Sequence, residues 1–306
     1  MIIGLAHCGY TVGHLEPAVA FFSQTLGVEH THMQVSDQPY LARVTGLAGT
    51  SLKIGFVQLE GDPLALELLD FVRPRGRPAG VGYGRPGTFY VGWAVDSLEI
   101  VYQRLRRQGV TFLAEPQPVD IGPWAGGLGT LMLGPDGIFI ELIETMSSVG
   151  TQGRLRCVHH VTFTVSDLDA ALSFLRDGLG LAVVARHAGD SAYARQIGGR
   201  ADGRLRAAYL AVPGSSCLLE VLAFDAPAGP PADPTLNNPG SVHCCLLVDD
   251  IQADFQALSQ RGARFAGPPV EVTAGVNKGA YAVHFGGPDN IRLELFQGPP
   301  TRVGGR

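Results

Sequence analysis

The stretch LAHCGYTV, Leu5–Val12, decides the fold, because it returns as VHHVTFTV at Val158–Val165. His7 falls on His160, Glu67 of LALELL on Glu220 of CLLEVL, and Glu141 of GPDGIFIEL on Glu294 of GPDNIRLEL. Gly87 and Gly240, Asp96 and Asp249, and Gly109 and Gly262 keep the same spacing. A single ungapped register through this many anchors marks an internal duplication. It divides the chain into two halves, 1–147 and 156–300, joined within the polar, Gly-containing stretch MSSVGTQGRLR.

Each half divides again. Val95 follows Tyr90 at the distance that separates Val12 from His7, and Val248 follows His243 likewise. Amphipathic segments come next, such as SDLDAALSFLRDGLG to Gly180 and DDIQADFQALSQRG to Gly262. Asp167 and Asp249 suit their N-caps, and the closing glycines suit the left-handed position beyond a helix end. Short apolar runs follow, among them LRAAYLAVP, SCLLEVLAF and YAVHFG. The fold class expected is α+β, with four βαβββ units. The Pro/Gly-rich bridges RPRGRPAGVGYGRPG and DAPAGPPADPTLNNPG join two units within each half, so each half is expected to curl into its own half-barrel domain.

Composition narrows the function classes. The 306 residues are 45% hydrophobic and 17% charged, which excludes a disordered chain. Twenty-three basic against 28 acidic side chains give a net charge of −5 and no basic field for nucleic acid or an anionic bilayer. Apolar runs fall short of a membrane span. Five cysteines without C-x-x-C spacing read as reduced thiols of a cytoplasmic protein. Neither a nucleotide-binding glycine motif nor a G-x-S-x-G nucleophile elbow is present.

Strand residues alternate faces, so inward-pointing residues at equivalent positions share a cleft. In the second half those positions carry His160, His243, Glu220 and Glu294. Two imidazoles and one or two carboxylates suit one divalent ion: Fe²⁺, Mn²⁺, Co²⁺, Ni²⁺ or Zn²⁺. The first half has Tyr90 where the second has His243, and a neutral tyrosine is a poor ligand for a labile divalent ion. The first half is therefore expected to hold a degenerate site.

The H-x-x-x-x-V strand, the helix ending in Leu-Gly and the closing G-P-D-G/N-x-x-x-E-L together resemble the vicinal oxygen chelate superfamily. That group includes glyoxalase I, methylmalonyl-CoA epimerase, extradiol dioxygenases and bleomycin-resistance proteins. The resemblance implies that His160, His243 and Glu294 are ligands, with Glu220 as a fourth. It also implies a small-molecule substrate binding through two adjacent oxygens, in a monomer or homodimer. A His–Glu–His–Glu set is similar to the bacterial glyoxalase I pattern, in which a carboxylate, here Glu220 or Glu294, moves a proton next to a carbonyl. The first expectation is thus a lyase, isomerase or epimerase. The second is an Fe²⁺ dioxygenase with the triad His160, His243 and Glu294, although Asn277, His284 and Glu220 depart from the extradiol pattern. The third is a module that sequesters a drug or metabolite. His284 is a candidate acid–base, and Arg292, Asn277 and Cys245 are candidate substrate contacts. Lys278 reads as solvated, and Tyr40 and Tyr193 as a shared packing pair.

Overall fold

A computed structural model of the protein describes residues 1–299; Pro300, the expected end of the second half, lies outside them. Four units are present, led by strands Ile2–Thr11, Phe89–Val95, Leu155–Thr164 and Val242–Val248. Helices follow at Leu15–Ala20, Leu98–Arg107, Leu168–Leu172 and Ile251–Gln260, the first and third winding into a π-type turn. Asp167 accepts backbone N–H bonds from Asp169 and Ala170 as expected of an N-cap. At the fourth helix the cap is Asp250, one residue later than the sequence suggested, and Asp249 meets the Met1 amino group instead. Gly180 and Gly262 close their helices at φ 76° and 89°. No helix among the described residues is long and apolar enough to cross a membrane.

The sheets do not follow the halves of the chain. The lead strand of the first unit pairs antiparallel with that of the fourth, so these two units make one curled sheet. The second and third units make the other, through Phe89–Val95 against Leu155–Thr164. This corrects the expected division into half-barrels 1–147 and 156–300. The physical reason is connection length. The last strand of the second unit ends at Glu144 and the next lead strand begins at Leu155, a link short enough to keep the two units on one sheet. The Pro/Gly-rich bridges are longer, and each carries the chain from one sheet to the other.

Strand periodicity sorts the core into three parts. One cluster, including Tyr10, Leu68, Val91, Trp93, Phe163 and Leu246, draws on both sheets and the helices. The alternate residues form two separate clusters. Tyr40, Leu52, Ile54, Leu69 and Ala282 belong to the sheet of the first and fourth units. Tyr90, Trp124, Tyr193, Tyr209 and Leu222 belong to the other. Leu68 and Leu69, or Tyr90 and Val91, therefore serve opposite faces, as a period of two requires. Every residue of Phe89–Val95 is buried because both its faces are covered.

Candidate functional site

In the sheet of the first and fourth units, five neighbouring strands each send one residue into the cleft. In sheet order they are His284, Glu294, His243, His7 and Glu67. The two imidazoles face each other with Nε2 atoms 3.2 Å apart. Glu294 Oε2 lies 3.2 Å from His7 Nε2 and 3.5 Å from His243 Nε2. Glu67 Oε2 lies 3.4 Å from His7 Nε2 and 3.6 Å from His243 Nε2. Two donors ~2.1 Å from one ion stand roughly 3.0 Å apart at a right angle and roughly 3.4 Å apart at the tetrahedral angle. The donors of His7, His243 and Glu294 therefore fit a single divalent cation, with Glu67 beside both imidazoles. Glu294 is buried, and a buried carboxylate without a cation costs several kcal/mol. Burial alone would raise the Glu294 carboxyl, but the imidazoles of His284, His243 and His7 hold it well below the usual carboxylate range.

Local backbone features aim these side chains. A bulge between Leu5 and His7 interrupts the register with the fourth unit, and bulges re-aim the residue that follows them. Gly9 sits opposite His243, and a Cβ there would stand only 1.8 Å from the imidazole Cε1. The glycine is required because the ring lies directly over its backbone. Gly9→Ala is expected to displace the His243 ring and lower divalent-metal uptake at this candidate site, read as metal per folded chain. Full metal content in that variant would show that the ring has another way in.

The cleft opens into a narrow cavity of about 80 Å³. His7, Glu67, His284 and Glu294 stand at its polar end, and Tyr40, Val44, Ile54, Phe56 and Phe296 contribute to its walls. Asn277 and Gln34 add amides. His284, a candidate acid–base from the sequence, is buried. Its ring lies 5.0 Å from that of His243, and burial pushes its pKa down to about 4.

The second sheet brings together Glu141, His160 and Glu220, with Tyr90 at the fourth position. His160 Nε2 lies 2.9 Å from Glu141 Oε2, and Tyr193 donates its hydroxyl to the other oxygen of the same carboxylate. Thr162 donates to Glu220 at 2.7 Å. Trp124 stacks on His160 with ring centroids 4.7 Å apart and an interplanar angle of 17°. Burial pushes the Glu220 carboxyl up to about 7, against the pull of His160 and with the push of Glu141. Each donor is already engaged by the protein, and the aromatic rings fill the space. Glu141, His160 and Glu220 also lie close enough together to form a His/Glu group, but one packed under Trp124.

A family model described as Glyoxalase/Bleomycin resistance protein/Dioxygenase superfamily matches residues 4–142 and again 158–295. The chain belongs to this superfamily. It is 31% identical over 158 residues to a 2-epi-5-epi-valiolone epimerase from an Actinomyces species, an alignment covering 50% of this chain and 85% of that protein. Its fold is that of maize glyoxalase I, with TM-score 0.65 at 17% identity over 96% of this chain and 92% of that one. It is also that of a putative dioxygenase from Bacillus subtilis strain 168, with TM-score 0.66 at 17% identity over 98% and 86%.

Within this superfamily fold, the ligand set read from the sequence needs correction. His160 and Glu220 are on a different sheet from His243 and Glu294, so these four do not share an ion. The partners of His243 and Glu294 are His7 and Glu67, the residues assigned to the degenerate half. Tyr90, expected to mark a degenerate site in the first half, lies instead in the second cleft, beside Glu141, His160 and Glu220. Glu220 is consequently remote from the cavity, where Glu67 takes the place expected of it. Asn277 lines the cavity as anticipated, and Lys278 is exposed. Arg292 does not line it; it is half-buried, with Asp233 the acid that acts on its charge. Cys245 is fully buried opposite His7 and does not line the cavity either. Tyr40 and Tyr193 both pack into the core of their sheets as expected, and Tyr40 also borders the cavity while Tyr193 donates to Glu141. Trp124 and Gln34 escaped the sequence reading. The repeat register offered the signal for Trp124, which stands where the second half has Asn277.

Proposed function

We propose that this chain is a divalent-metal-dependent enzyme that moves a proton on a carbon beside a carbonyl, as an isomerase, epimerase or lyase. The observation that carries this reading is the convergence of His7, Glu67, His243 and Glu294 at the head of a cavity. A divalent ion held by these residues supplies Lewis acidity toward two adjacent substrate oxygens. The Actinomyces relative, named an epimerase, supports the same chemistry.

The residues divide the work by position. Glu294, His7 and His243 form the tightest group and act as the anchoring ligands. Glu67 is the more exposed of the two carboxylates and reaches both imidazoles from one end of the row. We assign it proton abstraction. His284 stands at the opposite end, neutral because of its burial, with Nδ1 unpartnered among the described residues. It is placed to take or return the proton on the other side.

The test is elemental analysis of the purified protein, followed by deuterium exchange from solvent into simple α-hydroxyketones. One divalent ion per chain, exchange that stops on chelation, and no O₂ uptake are expected. Stoichiometric O₂ consumption, or exchange that survives chelation, overturns the assignment. Glu67→Gln is expected to slow exchange by about 10²–10⁴-fold, the usual weight of a general base. His284→Ala is expected to keep the metal while losing exchange, so loss of metal in that variant would make His284 a structural residue.

A further inference from the structure

Resting on that reading of the site, we propose that the substrate is uncharged, with a largely apolar body and few polar groups beyond the oxygen pair that meets the metal. Charge supplies the first argument. Two carboxylates balance a divalent ion, and the imidazoles are neutral when they coordinate. Among the described residues, none that lines the cavity is a lysine or an arginine. Lys278 is exposed, and Arg292, the cation nearest by sequence to a ligand, does not line the cavity. A phosphate, a carboxylate or a peptide-like thiol adduct would therefore be taken out of water with no counter-charge, which is strongly unfavourable.

The walls supply the second argument. Leu41, Val44, Leu52, Ile54, Leu69 and Phe296 present carbon to the space beyond the ligands. Away from the metal end, the side-chain amides of Gln34 and Asn277 are the principal polar anchors, with the Tyr40 and Thr45 hydroxyls. A polyol would leave several hydroxyls facing aliphatic side chains, each costing about tenfold or more in binding. The cavity is also narrow, so an apolar body gains contact on several sides at once.

The experiment uses the full chain loaded with Co²⁺ and three two-oxygen probes. These are 2-hydroxycyclohexanone, dihydroxyacetone and dihydroxyacetone phosphate, titrated by calorimetry and by the visible spectrum of the cobalt. The cyclic hydroxyketone is expected to bind at least about tenfold more tightly than either of the others. Gln34→Arg, which places a cation at the cavity wall, is expected to narrow the gap for the phosphate alone. Equal or tighter binding of the phosphate or the triose by the unmodified protein overturns the proposal, as does failure of the cyclic hydroxyketone to bind. Calorimetry reads this ranking without the metal signal. A chain that takes up no cobalt but keeps the ranking would therefore overturn the metal reading and leave the substrate class standing.

Discussion

His7→Ala will leave the purified protein without bound metal, whereas His160→Ala will leave its metal content unchanged. The two histidines hold the same place in the two halves of the sequence, so a duplication treated half by half predicts the reverse. The difference arises from strand pairing. His7 faces His243 across the antiparallel pair of first and fourth lead strands, with Glu67 and Glu294 on the flanking strands. His160 instead lies beside Glu141 under Trp124. Loss of an outer-shell partner costs about 10–100-fold in metal affinity, and loss of a direct ligand is expected to exceed that. His160→Ala removes the hydrogen-bond partner of the buried Glu141 carboxylate, so it will lower stability by about 2–3 kcal/mol. Metal must therefore be measured per folded chain, with circular dichroism confirming the fold. Depletion in His160→Ala and retention in His7→Ala would return the site to the second half.

The sequence made the four units, their strand–helix order and the residue types of the site legible, because each is encoded locally. The periodicity of Val242–Val248, the glycine after each helix and the repeated G-P-D-x-x-x-x-E-L all report on a single unit. Which units share a sheet is not local. It depends on how far the bridges reach, and a bridge such as Asp225–Gly240 reads as a linker whether it joins neighbours or crosses between sheets. The error in the ligand set follows entirely from that one step. His243 and Glu294 were identified correctly as inward residues of the fourth unit, and only their partners changed. Gly9 and Trp124 illustrate the remaining gap. A glycine two residues after a ligand, or a tryptophan in a Gly-rich loop, acquires meaning only when the facing strand is known.

Trp124→Ala will cost about 3–5 kcal/mol of stability, while Asn277→Ala at the matching place in the other half will cost less than about 1 kcal/mol. Trp124 is buried, stacks on His160, and packs edge-on against His159 and Tyr209. Removing it opens a void beside two carboxylates and an imidazole that depend on exclusion of water for their pairing. Asn277 is only half-buried and borders the cavity, so its loss enlarges an existing space. Urea unfolding of the two variants, with metal content measured in parallel, separates these roles. Trp124→Ala should unfold at lower denaturant yet keep its metal, because Trp124 packs in the core cluster of the other sheet. Asn277→Ala should unfold near the parent and, if anything, change ligand binding. Equal stability losses in the two variants would mean that the second cleft is an open site like the first. The unequal result would mean that, of the two clefts built by the duplicated units, one retained the donors and the cavity, while the other exchanged the cavity for aromatic packing around its His–Glu pair.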